Sequence, residues 1–226
     1  MPVPLLIIVA IAVGTMLVGT TIALQWDQIV VALKGKRLAV LGARGVGKTH
    51  LIKFLTSGSI PEGYKQTVAP EKASARRFRL KDLDLKVKRT LDVSGDKASY
   101  AEWKELHDNA DLVFYLLRAD RLIAGDTNVE SRARADLRHI GEWRTARSIK
   151  PRFFIIGTHC DFDEEFTELS VGKLGDYVDK FRRLPIVSEL VAHGGGTQEV
   201  KVVLGSMKSV ADTEMLVYEV FRQVKS

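Results

Sequence analysis

The chain has 226 residues and a hydrophobic fraction of 46%, enough for one domain of about 200 residues with a buried core and a short appendage. The formal net charge of +6 is modest and scattered, which is compatible with a basic surface near anionic lipid or acidic partners, but no nucleic-acid-binding motif is present and no direct nucleic-acid contact is predicted. The single cysteine, Cys160, excludes an intrachain disulfide framework and fits a reducing compartment.

The first segment of the chain is apolar. No charged residue occurs from Pro2 to Gln25, and a helix of about 20 apolar residues crosses the hydrocarbon core of a bilayer. We therefore expect a transmembrane helix over residues 1–25, with residues 3–24 in the lipid and Trp26 at the interface. A cleaved signal peptide is the competing interpretation, but the run is long, no Lys or Arg precedes it, and it lacks a clean cleavage site. A buried helix of the globular domain is the other alternative.

Basic residues flank the apolar segment on one side. Lys34, Lys36 and Arg37 follow it closely, whereas the first 24 residues contain no basic residue. The positive-inside rule then predicts a single-pass membrane protein whose remaining residues are cytoplasmic. Residues 26–35 are interpreted as a juxtamembrane linker, and residues 36–226 as a domain close to the membrane.

A complete GxxxxGK[ST] phosphate-binding loop occupies residues 42–49. Residues 36–41 are typical of a short buried strand, and apolar residues recur at helical spacing after the loop, which is the context the motif requires. Glycines let main-chain N–H groups surround a phosphate, and the N-terminus of the following helix adds its positive dipole. We expect Lys48 to reach the β and γ phosphates and Thr49 to hold Mg²⁺. A chance glycine-rich turn is the alternative.

The rest of the sequence alternates strands with helices. Strands are predicted at 75–80 and 85–91, as an antiparallel hairpin, and at 112–117, 153–156 and 199–204. Helices are predicted near 100–106, over 127–143 with a capping box at 127–130, over 166–190 with an interruption at Pro185, and from Asp212. This alternation predicts an α/β domain of three layers, with a mostly parallel six-stranded sheet and one antiparallel strand.

Three further motifs follow strand ends. Residues 92–95 (DVSG) are a DxxG, residues 158–161 (THCD) resemble the [NT]KxD guanine-reading motif, and residues 205–208 (GSMK) resemble an SAK loop. With the phosphate loop, these motifs resemble the Ras-like superfamily of small GTPases, which have a P-loop G domain, over residues 36–226. Within that superfamily, residues 67–117 look most like the Arf and signal-recognition-particle receptor β-subunit branch. The receptor β-subunit also has one membrane span directly before its G domain.

The resemblance implies binding of GTP or GDP with Mg²⁺. It assigns the metal to Thr49, Thr67 and Asp92, and it implies that the carboxylate of Asp161 accepts two hydrogen bonds from guanine that adenine cannot donate. The implied nucleotide-binding residues are Gly42, Arg44, Gly45, Val46, Gly47, Lys48, Thr49, His50, Thr158, His159, Asp161, Ser206, Met207 and Lys208. The implied catalytic group is Lys48, Thr67, Gly95 and Asp96, with the Gly95 N–H sensing the γ-phosphate.

Three positions of these motifs bear on mechanism. Asp96 stands where the family has a water-orienting glutamine, and without a neutral amide we expect slow hydrolysis or the use of another residue. His159 replaces the motif lysine; its ring can still stack on the base, which predicts guanine preference with weaker affinity, and a strand-end polar residue without a role is the alternative. Cys160 fills the variable position and is interpreted as a packing residue.

The 44 residues between Asp161 and Ser206 exceed the usual length in small GTPases. We place the excess around residues 184–198, either as a partner surface or as a mobile glycine-rich loop. The predicted function is a membrane-anchored GTPase switch that recruits a protein partner. The alternatives are a constitutively GTP-bound structural subunit of a membrane complex, and an ATPase or nucleotide kinase, against which Asp161 and Ser206 argue.

Overall fold

A parallel β-sheet forms the centre of the fold. The computed structural model describes residues 9–11, 35–57, 86–88, 98–168 and 173–225. The strands of this part are β1 (Val9–Ile11), β2 (Arg37–Gly42), β3 (Lys86–Lys88), β4 (Leu112–Arg118), β5 (Arg152–Thr158) and β6 (Val200–Leu204). They lie in the order β1-β6-β5-β4-β2-β3, and every neighbouring pair is parallel. The carboxyl ends of all the strands therefore share one edge of the sheet.

Helices connect the strands, and those that begin at residues 98, 127 and 210 start close to where the patterns predict. They are α1 (Lys48–Ser57), α2 (Ala98–Asp108), α3 (Ala119–Ile123), α4 (Thr127–Thr145), α5 (Glu164–Thr167), α6 (Leu174–Arg183), α7 (Pro185–Gly194) and α8 (Val210–Lys225). The predicted capping box of α4 is wrong by one residue, because the carboxylate of Asp126 accepts the N–H groups of Asn128 and Val129 at 3.0 and 3.2 Å. Pro185 starts α7 instead of interrupting a longer helix, since proline is well tolerated in the first turn.

The helices cover both faces of the sheet. Successive residues of β4 point alternately into two buried clusters, one shared with α2, α4 and α7 and the other shared with α1 and α8. The residues of β4 from 112 to 117 are all at most 2% exposed. A strand that is buried on both faces needs an unbroken apolar run, which is why 112–117 carries no polar alternation. The predicted α/β architecture with a parallel sheet is confirmed.

Two predictions at the edges of the sheet change. The first strand of the predicted hairpin, 75–80, lies outside the described residues. The second strand contributes β3, which is parallel to β2. No antiparallel pair occurs among the described strands. The predicted transmembrane helix is wrong at Val9–Ile11, which form β1 and pair with residues 202–204 of β6. The remaining residues of 1–25 lie outside the described part. None of the described helices is long and apolar enough to cross a bilayer.

The excess residues before Ser206 form packed helices. Ile186, Val187, Leu190 and Val191 of α7 are buried against the core, so a mobile loop is wrong for residues 185–194. The backbones of α4 and α7 approach closely, because a Cβ at Gly141 would lie only 2.1 Å from the carbonyl oxygen of His193. The outer side of this contact is polar, with an ion pair between Arg134 of α4 and Glu189 of α7 at 2.7 Å.

Candidate nucleotide-binding site

The phosphate loop connects β2 to α1 at the carboxyl edge of the sheet. Gly42, Gly45 and Gly47 have φ values of 141°, 78° and 92°, a region that favours glycine. A Cβ at Gly42 would lie 2.4 Å from the carbonyl oxygen of Leu116 in β4, so glycine is required there by space as well as by conformation. The loop can therefore turn its main-chain N–H groups inward, as the motif predicts.

Lys48 is fixed inside this loop. Its Nζ donates hydrogen bonds to the carbonyl oxygens of Gly42 and Ala43 at 2.9 and 2.7 Å, and the residue is only 7% exposed. These two bonds hold a buried ammonium group at the centre of the loop. An anionic ligand bound there meets a positive charge whose position is already set.

The loop after β5 touches the phosphate loop through Thr158. The Oγ1 atom of Thr158 lies 3.0 Å from the carbonyl oxygens of both Val46 and Leu117, and 2.8 Å from Nδ1 of His159. A hydroxyl has one hydrogen to donate, so the two carbonyl groups share it. Thr158, which is fully buried, thus joins the end of β5 to the phosphate loop and to the end of β4.

His159 lies beside the phosphate loop in an unusual conformation. Its φ of 61° places it in the left-handed region, where it is the one non-glycine residue of the described chain. Burial lowers the pKa of the imidazole, and the positive charge of Arg118 lowers that pKa further, so the ring is neutral at pH 7. A Cβ at Gly47 would lie 3.9 Å from Cε1 of His159, which shows how close the ring is to the loop.

Asp161 and the loop after β6 come together at the same edge. Ser206 Oγ donates to Asp161 Oδ1 at 2.8 Å, and the main-chain N–H of Lys208 donates to Ser206 Oγ at 3.0 Å. The carboxylate of Asp161 is thereby oriented while the residue stays partly accessible. Met207 faces the phosphate loop, since a Cβ at Gly47 would lie 2.3 Å from its Cε atom.

The remaining predicted residues fall into two groups. Thr49 and Arg44 are exposed at the loop, whereas His50 is half-buried on α1 and burial lowers the pKa of its imidazole. Outside the described residues lie Thr67, Asp92, Gly95 and Asp96, so the structure does not place them. Within the described ranges no cluster of three or more His, Cys, Asp or Glu side chains could hold a metal, and Thr49 is the one predicted metal ligand that the structure positions.

Two further residues of the site were missed in the sequence. Phe162 is 61% exposed, its ring centroid is 5.8 Å from that of His159, and the guanidinium of Arg118 lies 5.3 Å over its face. Arg118 is in turn held by the carboxylate of Asp120 at 2.8 and 2.5 Å. An exposed aromatic ring beside the predicted guanine-reading motif offers a flat apolar surface for a planar ligand. The feature of the sequence that could have identified Phe162 was its position directly after Asp161.

A cavity of about 390 Å³ adjoins the phosphate loop. Four arginines line it: Arg44, Arg118, Arg121 and Arg132. Behind it, the buried carboxylate of Asp136 accepts hydrogen bonds from Tyr100, Tyr115 and Arg132 at 2.7, 3.0 and 2.8 Å. Arg118, Arg121 and Arg132 are paired with Asp120, Asp126 and Asp136, and the buried network fixes α2, β4 and α4 around the cavity.

Cys160 is fully buried between these loops. Burial raises the pKa of its thiol, which keeps the sulfur protonated and unreactive. The structure agrees with its interpretation as a packing residue.

Comparison with solved structures identifies the fold. The chain is similar to an ADP ribosylation factor-like GTP-binding protein, the small COPII coat GTPase Sar1 from Encephalitozoon cuniculi in complex with GDP, at 14% identity, with 91% of this chain and 86% of that chain covered and a TM-score of 0.53. It also matches a GTP-binding protein from Sulfolobus solfataricus in complex with GDP, at 11% identity and a TM-score of 0.48, over 91% of this chain and 56% of that one.

A third match is the translation elongation factor SelB from Methanococcus maripaludis, at 13% identity and a TM-score of 0.47, over 85% of this chain but 33% of that one. The chain thus spans only about half and a third of the lengths of these last two proteins. No family model and no curated protein matches the chain in sequence. The likeness shows that the chain has the small-GTPase P-loop fold.

Proposed function

We propose that this protein binds GTP and GDP and acts as a nucleotide-dependent switch. One observation carries the proposal: the buried ammonium of Lys48 and the oriented carboxylate of Asp161 lie on loops that share one edge of the sheet and are joined by the Thr158 hydroxyl. A triphosphate suits the ammonium group of Lys48, and a guanine base suits the carboxylate of Asp161. The similar fold of GDP-bound Sar1 supports the proposal.

Mg²⁺ belongs to the same proposal. The exposed hydroxyl of Thr49, at the start of α1, is an oxygen donor of the kind Mg²⁺ prefers, and a bound metal would neutralise phosphate charge there. Thr67 and Asp92 are expected to complete the ligand set.

Hydrolysis is proposed to be slow and to depend on a partner protein. Asp96 lacks the neutral amide of the family's glutamine, so it cannot orient water in the same way. The same residue favours the second candidate, a structural subunit that keeps GTP bound with little turnover. Single-turnover measurement of GTP hydrolysis, with and without the partner that co-purifies with the full-length chain, separates the two candidates: stimulation by the partner favours the switch.

We also propose that the N-terminal segment attaches the domain to the cytoplasmic side of a membrane. The uncharged run from Pro2 to Gln25 and the basic residues after it support this. Val9–Ile11 pair with β6 at the edge of the sheet in the structure, so insertion of this segment into lipid requires β1 to leave the sheet. Retention of the protein in membranes after alkaline carbonate extraction is expected, and release into the supernatant would contradict attachment.

Nucleotide preference tests the central proposal. We expect the full-length chain to bind GTP with Mg²⁺ in strong preference to ATP. Asp161→Asn should lower GTP affinity by about 10 to 10²-fold, because the amide oxygen still accepts one hydrogen bond while one charge-assisted bond of about 1.5 to 3 kcal/mol is lost. Asp163→Asn, two residues further along the chain, is the matched control. Equal binding of ATP and GTP would point to an ATPase or kinase. Guanine selectivity that survives Asp161→Asn would show that Asp161 does not read the base.

A further inference from the structure

A second charged surface lies at the amino edge of the sheet, opposite the nucleotide site. Here the N–H of Asp111 donates to the carbonyl of Arg37 at 2.8 Å, and the N–H of Arg152 donates to the carbonyl of Asp111 at 3.0 Å, so the starts of β2, β4 and β5 adjoin. A cavity of about 470 Å³ opens at this edge. Ile149 and four cationic residues line it; the cationic residues are Lys36, Arg147, Lys150 and Arg152. We call these five residues the basic face.

The positive charges of the basic face outnumber the negative charges near them in the described part of the chain, where Lys36 acts on the carboxylate of Asp111. Lys36, Lys150 and Arg152 are exposed, and their side chains make no ion pair with a described residue. Arg147 is half-buried and donates to the carbonyl oxygen of His107 at 3.0 Å, which positions its guanidinium without cancelling the charge. The carboxylate lining the same cavity, Asp111, is already paired with Arg37 at 3.2 Å. The face therefore presents a net positive charge.

Ile149 gives the basic face an apolar tip. It is 79% exposed, more than any other large hydrophobic residue of the described chain. Its neighbours Ser148 and Lys150 are also exposed, and all three lie in the turn between α4 and β5. One apolar side chain surrounded by cations is the pattern of a surface that rests on anionic headgroups while a side chain enters the acyl boundary.

The chain leading to this face indicates what covers it. Lys36 belongs to the basic face and directly follows the linker from the apolar N-terminal segment. The linker 26–35 has ten residues, which span at most about 36 Å extended and about 15 Å as a helix. If the N-terminal segment lies in a membrane, the length of this linker keeps the amino edge of the sheet close to the lipid.

We propose that the basic face is the membrane-facing surface of the domain and binds anionic phospholipid headgroups with Ile149 inserted between them. This orientation directs the nucleotide site, at the opposite edge of the sheet, toward the cytosol and its partners. The inference rests on the membrane attachment proposed above and adds the surface, its lipid chemistry and the orientation of the domain.

The orientation is tested with a fluorescent probe on the full-length chain in lipid nanodiscs. Ser148→Cys is labelled with bimane beside Ile149, and Ala124→Cys, exposed beyond the carboxyl end of β4, is the control position. Cys160 is fully buried, so labelling is confined to the introduced cysteine. Quenching by a headgroup spin-labelled lipid is measured in phosphatidylcholine discs with and without phosphatidylserine, and GTP binding is measured in the same samples.

We expect quenching at position 148 that needs phosphatidylserine and weakens with salt, and little quenching at position 124. The pair Lys150→Gln and Arg152→Gln should lower the ratio of docked to undocked domain by about 25-fold, from about fivefold for each cation near an anionic surface. The pair Arg138→Gln and Lys173→Gln removes the same charge from exposed positions elsewhere and should leave the ratio unchanged.

Equal quenching at both positions, no dependence on phosphatidylserine, or equal effects of the two charge pairs would overturn the inference. If the chain inserts into the discs and binds GTP but position 148 is not quenched, the basic face alone is wrong. If the chain fails to insert, attachment and the basic face are both wrong, whereas the nucleotide proposal is judged by GTP binding in the same sample.

Discussion

The phosphate end and the base end of the candidate site are built in different ways. At the phosphate end, consecutive residues 42–49 supply the turn, the cation and the helix start, and the loop shape follows from glycine conformations. At the base end, Ser206 bonds to Asp161 from 45 positions away, and the two meet because β5 and β6 are neighbouring parallel strands. The first end therefore depends on local sequence, and the second on the sheet.

The two ends also differ in how closely they match a family pattern. The phosphate loop matches its motif at every defined position, whereas the base end has a neutral imidazole at His159 in place of a lysine. A site of this kind should bind phosphate strongly and depend more on stacking at the base. Changes at the two ends should then have unequal effects.

The largest effect is expected at the phosphate end. Two of the three N–H groups of the Lys48 ammonium are already given to the carbonyl oxygens of Gly42 and Ala43, so at most one remains for phosphate. Lys48→Ala removes that charge-assisted hydrogen bond, worth about 1.5 to 3 kcal/mol, together with the attraction of the fixed charge, so GTP affinity should fall by about 10² to 10³-fold. Titration calorimetry measures the change. Lys53→Ala, exposed on the same helix, should bind GTP like the unaltered protein. If Lys48→Ala bound GTP normally, the phosphate contact would not exist.

A smaller effect is expected where the two ends are joined. Thr158→Val keeps the shape of the side chain but withdraws the buried hydroxyl from the carbonyl groups of Val46 and Leu117. Because buried carbonyls then lack a donor, the free energy of unfolding should fall by about 1 to 3 kcal/mol in urea titrations. Thr158→Ser retains the hydroxyl and should lose less. A valine variant as stable as the original would show that the ends are independent.

The smallest effect concerns the pH dependence of the base end. The pKa of His159 in the folded state is below its unfolded value of about 6.5, mainly because of burial and then because of the positive charge of Arg118. Asp120 and Asp161 act in the opposite direction and raise this pKa, whereas His50, which also faces the ring, lowers it. Well above pH 6.5 both states are neutral and His159 contributes nothing to the pH dependence. Below it the unfolded chain binds the proton first, so stability falls as the pH falls.

At pH 5.5 this contribution reaches at most about 1.4 kcal/mol for one histidine. Urea unfolding at pH 7.5 and 5.5 should therefore show a weaker acid loss in His159→Gln than in the unaltered protein. His139, half-buried on α4 with 42% of its side chain exposed, provides the comparison for a histidine outside the site when it is changed to Gln. Identical acid losses in all three proteins would show that His159 exchanges protons freely when folded.

Much of the fold could be predicted because its signals are local. The apolar run at 112–117 and the helical spacing after Thr127 identify β4 and α4, since burial on one or both faces sets the residue pattern directly. The packing of α7 could not be predicted, because Gly141 on α4 permits its close approach from a distant part of the chain. The strand at Val9–Ile11 was missed because an apolar run has no periodicity that separates helix from strand.

The sequence by itself determined the phosphate loop, the strand and helix that flank it, and the order of the motifs, because glycine conformation and side-chain period act over a few residues. Only the tertiary structure decided that Asp161 and Ser206 meet, that Thr158 reaches Val46, and that Phe162 lies exposed beside His159. The basic face at the opposite edge also required the structure, since Lys36 and Arg152 are far apart in the chain. Each of these contacts depends on which strands are neighbours in the sheet, and strand order is a property of the whole packed chain.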